Sequence, residues 1–293
     1  MLFCILYKIG YIISNALPLS GAYWLSERFS DIHFCISRKD REAVVQNLIV
    51  ALKKDTKECR IIAKKIFRNF GLYMVDFFRM RRIDKDIIRK KVEIIGLENI
   101  DGVLKSNKGA IALTCHIGHW EMGGVVMGIL GYDIAAVVLT HAHKSINDFF
   151  IAQREKKGFK VISMSSVMKG CVSILMRKGI LALASDRDFT NNGIKMDFLG
   201  VPTSIPKGPA VLSLKTNSPI VPTFFLRKDR YNYKFIFDKP IEVPDTPGLK
   251  DDEIIKEGTK RFIPVMEKYI RKYPDQWLVF RRFWETPADA FVI

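Results

Sequence analysis

No CxxC pair occurs in this chain, and its five cysteines (Cys4, Cys35, Cys59, Cys115 and Cys171) are scattered and odd in number. That spacing argues against a disulfide framework or a zinc knuckle and suits a reducing compartment. GxGxxG, GxxxxGK followed by Ser or Thr, and GxSxG are all missing. Their absence removes the simplest dinucleotide, P-loop and serine-hydrolase readings. There is no internal repeat, low-complexity tract or long linker. Acidic residues are scarce: 31 Asp and Glu face 47 Lys and Arg, a formal net charge of +16. Such a surplus draws the protein to anionic surfaces, and nucleic acid and anionic lipid both qualify.

What the chain does have is apolar mass, 48% of 293 residues, enough for one large α/β domain or two small ones. From Leu2 to Leu25 the only charge is Lys8. As one helix that run would reach about 36 Å, enough for a hydrocarbon core, although Ser14, Asn15 and Pro18 interrupt it. It has no basic start and no small-residue cleavage site, so it does not read as a secretory signal. Arg28, Arg38, Lys39 and Arg41 follow, which puts the bulk of the chain on the cytoplasmic side if the run enters a bilayer. Residues 1–28 are therefore expected to form a membrane anchor or interfacial helix, with a buried core helix as the alternative.

Val44, Val45, Leu48, Ile49 and Leu52 make one helical stripe within Arg38 to Lys54, and a second helix is expected from an N-cap at Thr56 through Phe77. Its opposite face carries Lys64, Lys65 and Arg68, and the RMRR cluster, Arg79 to Arg82, follows. Basic faces are usually just solvated, yet two consecutive basic amphipathic helices also fit a membrane surface. After Val92, β-rich runs (Ala110–Cys115, Ile134–Leu139, Ile180–Ala184, Ile220–Phe225) alternate with helical stretches, predicting an α/β mixed sheet flanked by helices.

Ile111 to Gly124, IALTCHIGHWEMGG, reads as a strand ending in a chemical turn. In an uninterrupted helix His116 and Glu121 would point roughly 140° apart. A turn between strand and helix could bring the carboxylate back, giving a general base whose tautomer the carboxylate fixes. Cys115 is a conceivable nucleophile, but at the end of an apolar strand it more often faces the core. His116, His119, His141 and His143 invite a metal reading, although no HExxH accompanies them. Arg154, in QREKKG, could hold a phosphate or an oxyanion, or sit exposed on a helix. Asp186, Arg187 and Asp188 cluster after a strand, where α/β sheets collect ligands, though a solvated turn competes. Met196 to Pro222 reads as an apolar loop in need of cover, a lipid chain being one candidate; Pro274 to Trp284, with Arg281 and Arg282, suits a bilayer interface, a phosphate or a packed strand.

Together these segments resemble the lipid A biosynthesis acyltransferase family, the lauroyl and myristoyl transferases of Gram-negative inner membranes. The likeness covers nearly the whole chain: the apolar start, the region of Asn47 and Leu48, HIGHWE, Arg154 to Gly158, SDRDF, DFLGVP, and the terminal PDQW and RRFW. The H-x4-D/E motif is shared with glycerolipid acyltransferases generally, whereas the ordered downstream set is more specific. The resemblance implies a glycerolipid-acyltransferase-like α/β fold with an N-terminal apolar membrane-associated helix. Residues 29–293 would be one acyltransferase domain, with a helical lead-in over 38–91 and a catalytic core over 92–285. It implies His116 as general base oriented by Glu121, with Arg154 and Asp186 in the active site, and Arg187, Arg281 and Arg282 as contacts for substrate phosphates. The expected reaction moves a fatty acyl chain from an acyl carrier protein thioester to a hydroxyl of a lipid A precursor, at the cytoplasmic face of the inner membrane. The partners are then the carrier protein, an anionic lipid surface and the lipid acceptor, not nucleic acid, and no metal or cofactor is needed. Where the family often has Asn before the Trp of its first motif, this chain has His119. Another phosphoglycolipid or glycerolipid acceptor, a metal-dependent hydrolase and a non-enzymatic membrane-binding protein are the alternatives.

Overall fold

The computed structural model describes residues 2–138, 144–163, 166–189, 192–243, 248 and 250–284. Four helices come first: α1 (Leu2–Ala16), α2 (Leu19–Ile36), α3 (Arg38–Leu52) and α4 (Thr56–Arg79). Pro18 divides α1 from α2, since it has no N–H to continue a helix. The 15 residues of α1 span only about 22 Å, short of a ~30 Å hydrocarbon core. No helix among the described residues is long and apolar enough to cross a membrane.

Two of the three arginines in the RMRR cluster bind the end of α1, while Arg81 donates to Gln153 Oε1 at 3.0 Å. Arg79 donates to the carbonyls of Ser14 and Leu17, and Arg82 to the carbonyl and side-chain oxygen of Asn15. These are carbonyls a helix terminus leaves without intrahelical donors. The cap of α4 also differs from expectation: Asp55, one residue before Thr56, accepts the Glu58 N–H at 2.9 Å. Behind α4 lies a buried ionic knot, in which Asp76 accepts from Tyr23, Tyr233 and Arg227 and so ties α2 and α4 to the sheet.

The remainder is α/β: α5 (Lys85–Lys91), β1 (Val92–Ile95), α6 (Leu97–Lys105), β2 (Ala110–Thr114), α7 (Trp120–Leu130), β3 (Ile134–Val138), α8 (Lys144–Glu155), β4 (Phe159–Ser163), α9 (Val167–Met176) and β5 (Ile180–Ala184), then the hairpin β6 (Ile194–Phe198) and β7 (Val201–Ile205), α10 (Gly208–Thr216), β8 (Ile220–Arg227), β9 (Tyr233–Phe237) and α11 (Asp251–Lys272). Seven strands form one sheet in the order β1-β9-β8-β2-β5-β3-β4, parallel throughout except where β8 meets β9. The expected mixed, helix-flanked sheet is what forms.

Each central strand alternates its side chains between two cores. From β2, Ile111 and Leu113 pack with α9, α10 and α11, while Ala110 and Ala112 face α6 and α7. Both faces are buried, as parallel sheets require. Met196 to Pro222 is therefore no loop: it contains the β7 strand, most of the hairpin and α10. Phe198, Leu199 and Ile205 are buried with Phe262 and Met266 of α11, which cover them in place of a lipid chain. Asp55→Ala is expected to cost about 1 kcal/mol and Thr56→Ala less than half of that; thermal unfolding of the two variants checks which residue caps α4.

Candidate active site

β2 and β5 pair in parallel register, from Ala110 beside Ile180 to Thr114 beside Ala184. His116 and Asp186 each stand two residues past that last pair, so the sheet register itself brings imidazole and carboxylate together. His116 Nδ1 lies 2.6 Å from Asp186 Oδ1, and the His116 backbone N–H donates to Oδ2 at 3.0 Å. The Trp277 indole N–H adds a third donor to Oδ2 at 3.3 Å. Asp186 is fully buried. Burial would raise its carboxyl, but the His116 charge and the two His116 N–H groups outweigh that and hold it below the usual carboxylate range. An ionised acceptor at Nδ1 keeps the proton there and leaves the Nε2 lone pair available. The His116 side chain is 17% exposed, and Nε2 has no hydrogen-bond partner among the described residues.

The carboxylate bonded to the His116 ring is Asp186, whereas Glu121, expected as its orienting partner, pairs with Arg154. α7 starts at Trp120, so Glu121 is already inside the helix and turns toward α8, where Arg154 holds it with two bonds of 2.6 Å. Both residues are buried, at 8% and 5% exposure, which rules out the exposed-arginine reading. A buried carboxylate needs such a partner, and the bidentate fork supplies it. Burial pulls the Arg154 guanidinium down, and the Glu121 charge more than restores it.

The turn between β2 and α7 is pinned on every side. Gly118 N–H donates to Gln276 O at 2.9 Å, His119 N–H to Phe225 O at 2.7 Å, and Leu278 N–H returns to His116 O at 2.8 Å. Gly118 has φ +64°, and a Cβ there would stand 2.2 Å from the Phe225 carbonyl oxygen, so only glycine fits. Because the amides of residues 117, 118 and 119 already serve backbone carbonyls, they are not the oxyanion donors that a bare turn would offer. Arg154, bound to Glu121, is committed elsewhere too.

His119 serves as a helix cap. Its Nδ1 accepts the Met122 N–H at 3.2 Å, which makes it the N-cap of α7 in the role an asparagine oxygen would fill. The ring lies 4.1 Å from the Tyr73 ring, and burial pushes its pKa down to about 4. His141 and His143 lie outside the described residues, and among the described residues no three potential ligands converge. Cys115 faces the α9–α11 core, fully buried, and burial lifts its thiol well above the ordinary range. It is not placed as a nucleophile.

An apolar cavity lies between α7 and the sheet. Its lining includes Trp120, whose ring is 5.1 Å from that of His116, with Thr114, Ala112, Gly123, Met127 and Phe235. Thr223 turns its hydroxyl to the Val221 carbonyl, so its methyl is left for the cavity. Arg187 follows Asp186 directly, with its guanidinium 5.1 Å from the Phe189 ring. Burial and the Arg281 charge together pull it down to about 10, against the opposite pull of Asp186. Arg282 points elsewhere: it is exposed, and its charge acts on Glu42 of α3.

Trp277 as a third donor to Asp186, and the amide of Asn47, which holds the C-terminal segment, are roles that sequence reasoning missed. For the dyad itself a signal was present: two five-residue apolar strands, each followed at the same offset by a titratable residue.

The His119 capping bond gives a pH signature. With a folded pKa of about 4 against an unfolded value of about 6.5, the unfolded chain binds more protons across that window. Stability is then full above pH ~6.5 and declines as pH falls toward ~4, by an order of 3 kcal/mol from this group. His119→Asn, which keeps a capping oxygen, is expected to flatten that part of the stability–pH curve measured by urea unfolding, leaving the carboxylate contribution.

Comparison with known proteins identifies the family. The family description "Bacterial lipid A biosynthesis acyltransferase" matches residues 2–286. The chain is 28% identical over 161 residues, 53% of its length, to a phosphatidylinositol mannoside acyltransferase of Mycobacterium tuberculosis (strain ATCC 25618 / H37Rv), and it spans about half (51%) of that protein. It is 24% identical over 256 residues, 85% of its length and 81% of the relative, to the lipid A biosynthesis palmitoleoyltransferase of Escherichia coli (strain K12). A lipid A biosynthesis acyltransferase of Haemophilus influenzae is 19% identical over 87% of the chain and 78% of the relative. With a match running over almost its entire length, and with the motifs that prompted the resemblance, this chain belongs to the bacterial lipid A biosynthesis acyltransferase family.

Proposed function

We propose that the protein transfers a fatty acyl chain from an acyl carrier protein thioester to a hydroxyl of a lipid A precursor, with His116 as general base and Asp186, not Glu121, as the group that orients it. The observation that carries this reading is an Asp-held imidazole with an available Nε2, its ring 5.1 Å from that of Trp120, which lines an apolar cavity. Nε2 takes the proton of the acceptor hydroxyl as its oxygen attacks the thioester carbonyl, and the imidazolium is stabilised by Asp186. The C–S bond then breaks as the tetrahedral intermediate collapses, and the imidazolium returns the proton to the departing sulfur, so that the carrier leaves as a thiol. The first amide of α7, Trp120 N–H, has no intrahelical acceptor and is the backbone donor the turn leaves for the oxyanion. The acyl chain occupies the cavity under α7. Glu121 and Arg154 act from behind, as the buried pair that fixes α8 against α7.

Charge and surface support the partners. A net charge of +16 suits docking of an acidic carrier protein and an anionic leaflet. α1 exposes Ile5, Leu6, Ile9 and Ile12, and α2 exposes Trp24, Phe29, Ile32 and Ile36. We read these two helices as an interfacial anchor on the cytoplasmic face of the inner membrane. Arg187 and Arg281 serve the phosphates of the substrate. A second reading keeps the chemistry and changes the acceptor to another phosphoglycolipid; the likeness to a phosphatidylinositol mannoside acyltransferase favours it.

Purified protein supplied with carrier thioesters and candidate acceptors tests the mechanism. Asp186→Asn is expected to lower kcat by about 10³ or more, and His116→Ala at least as far, because tautomer and base are lost. Glu121→Gln should act chiefly through stability. A larger kcat loss in Glu121→Gln than in Asp186→Asn would contradict the assignment. Gly123 sets a separate expectation: a methyl there would meet Phe235 and Phe225 at 3.3–3.5 Å. Gly123→Ala should therefore shorten the preferred acyl chain, seen as a shift in relative kcat/KM across a series of chain lengths.

A further inference from the structure

β8 outruns β2. Their pairing ends at Leu113 beside Pro222, while β8 continues to Arg227 and stays paired with β9 on its other side. Beyond Pro222 the backbone groups on the β2 side have no strand to meet and need other partners. The Phe225 carbonyl takes the His119 N–H of the catalytic turn. Two residues on, the side-chain amide of Gln276 takes Arg227: Oε1 accepts the Arg227 N–H at 2.9 Å, and Nε2 donates to the Arg227 carbonyl at 2.9 Å. One backbone donor and one backbone acceptor met by a single amide reproduce the rung that a neighbouring strand would have supplied. Gln276 is 6% exposed.

The main chain of the same residue serves the dyad. Gln276 O accepts the Gly118 N–H, Trp277 forms an antiparallel bridge with Ile117, and the Trp277 indole donates to Asp186 Oδ2 at 3.3 Å. Other anchors hold the segment elsewhere. Asn69 of α4 donates to the Asp275 carbonyl and carboxylate, Asn47 of α3 bonds Val279, Arg281 and Phe283, and the Trp284 indole donates to Thr203 of β7. None of those bonds ends on β8, the strand against which the catalytic turn is itself pinned. The Gln276 amide does, so it fixes turn and segment to one common edge. The indole bond is the contact on the dyad most sensitive to that placement, because 3.3 Å already lies past the usual N–H···O range of about 2.7–3.2 Å. A retreat of the segment by a few tenths of an ångström breaks it and removes one of the three donors on Asp186.

We propose that Gln276 is a positioning residue: by standing in for a strand residue beside Arg227, it sets how closely the Gln276–Leu278 strap approaches the turn, and so keeps Trp277 on Asp186 and Asp186 on His116. Its role in turnover rests on the reading of His116 as the general base. Its role in placing Trp277 is measurable without turnover, so the two readings fail separately.

NMR of the full-length protein labelled with nitrogen-15 at tryptophan indoles reads that placement, with Trp277→Phe assigning the resonance. The wild-type Trp277 indole proton is expected downfield, as a carboxylate-bonded donor, and in Gln276→Ala it should move upfield toward an unbonded indole. In the thioester assay, kcat of Gln276→Ala should fall about tenfold with KM for both substrates within about twofold. Trp277→Phe combined with it should cost less than the product of the two single losses. Gln276→Glu supplies the rescue, and carries the test if Gln276→Ala does not fold. A protonated carboxyl has the same acceptor and donor as the amide, whereas a carboxylate offers acceptors only and sets one against Arg227 O. Assayed well below its unfolding midpoint, its kcat relative to wild type at the same pH should rise as pH falls, and its indole resonance should move downfield over the same range; the ratio for Gln276→Ala should stay flat. An unmoved indole resonance in Gln276→Ala, a wild-type kcat there, single losses that multiply in the double variant, or a Gln276→Glu ratio indifferent to pH would overturn the proposal. A resonance that moves as expected in a protein that transfers no acyl chain would uphold the placement and sink the acyl-transfer reading.

Discussion

The parallel register of β2 against β5 is the constraint on which the site depends. Ala110 beside Ile180 fixes Thr114 beside Ala184, and the same offset carries His116 to Asp186. Two neighbouring strands that run in the same direction end at the same edge, so their following residues meet without a dedicated loop. Slipping the register by one residue would exchange the two cores, with Ile111 and Leu113 moved to the α7 side. The hydrophobic packing that holds the sheet is thus the same packing that aligns imidazole and carboxylate.

Around that pair the chain spends its polar groups on fixing one turn. Gly118 allows the close approach to Phe225, His119 caps α7, and the segment after α11 closes over the turn through Leu278 and Trp277. The Glu121–Arg154 pair and the Asp76 knot do comparable work further out, joining α7 to α8 and the N-terminal helices to β8 and β9. Their energetic weight is in specificity of arrangement more than in net stability, because buried ion pairs repay much of what they gain in desolvation. His116 Nε2 has no hydrogen-bond partner among the described residues, and the neighbouring Trp120 lines a cavity walled almost wholly by apolar side chains.

Much of this was legible in the sequence. The apolar runs at Ile111, Ile134, Ile180 and Ile220 became strands, and the stripes at Val44 and Ile62 became helices, because period 2 and period 3.6 report burial directly. The membership in the acyltransferase family was legible as well, from ordered motifs. What escaped was long-range pairing. Glu121 is five positions from His116 and Asp186 is seventy, so a local motif drew attention to Glu121 and not to the carboxylate bonded to the ring. The same limit hid Trp277 and Asn47, whose partners are 91 and more than 230 positions away. It also left the hairpin around Leu199 looking like an uncovered loop, since its cover, α11, comes some fifty residues later. His119 was misjudged for another reason: histidine is an unusual helix cap, and only the bond to Met122 N–H reveals that use.

The central claim is that Asp186 holds His116 in the Nδ1–H tautomer with Nε2 open for a proton. Nitrogen-15 NMR of histidine-labelled protein near neutral pH measures this directly. The account predicts a protonated, carboxylate-bonded Nδ1 and an unprotonated Nε2 for His116, a pattern lost in Asp186→Asn and kept in Glu121→Gln. A proton resident on Nε2, or a His116 spectrum that responds to Glu121→Gln and not to Asp186→Asn, would contradict it.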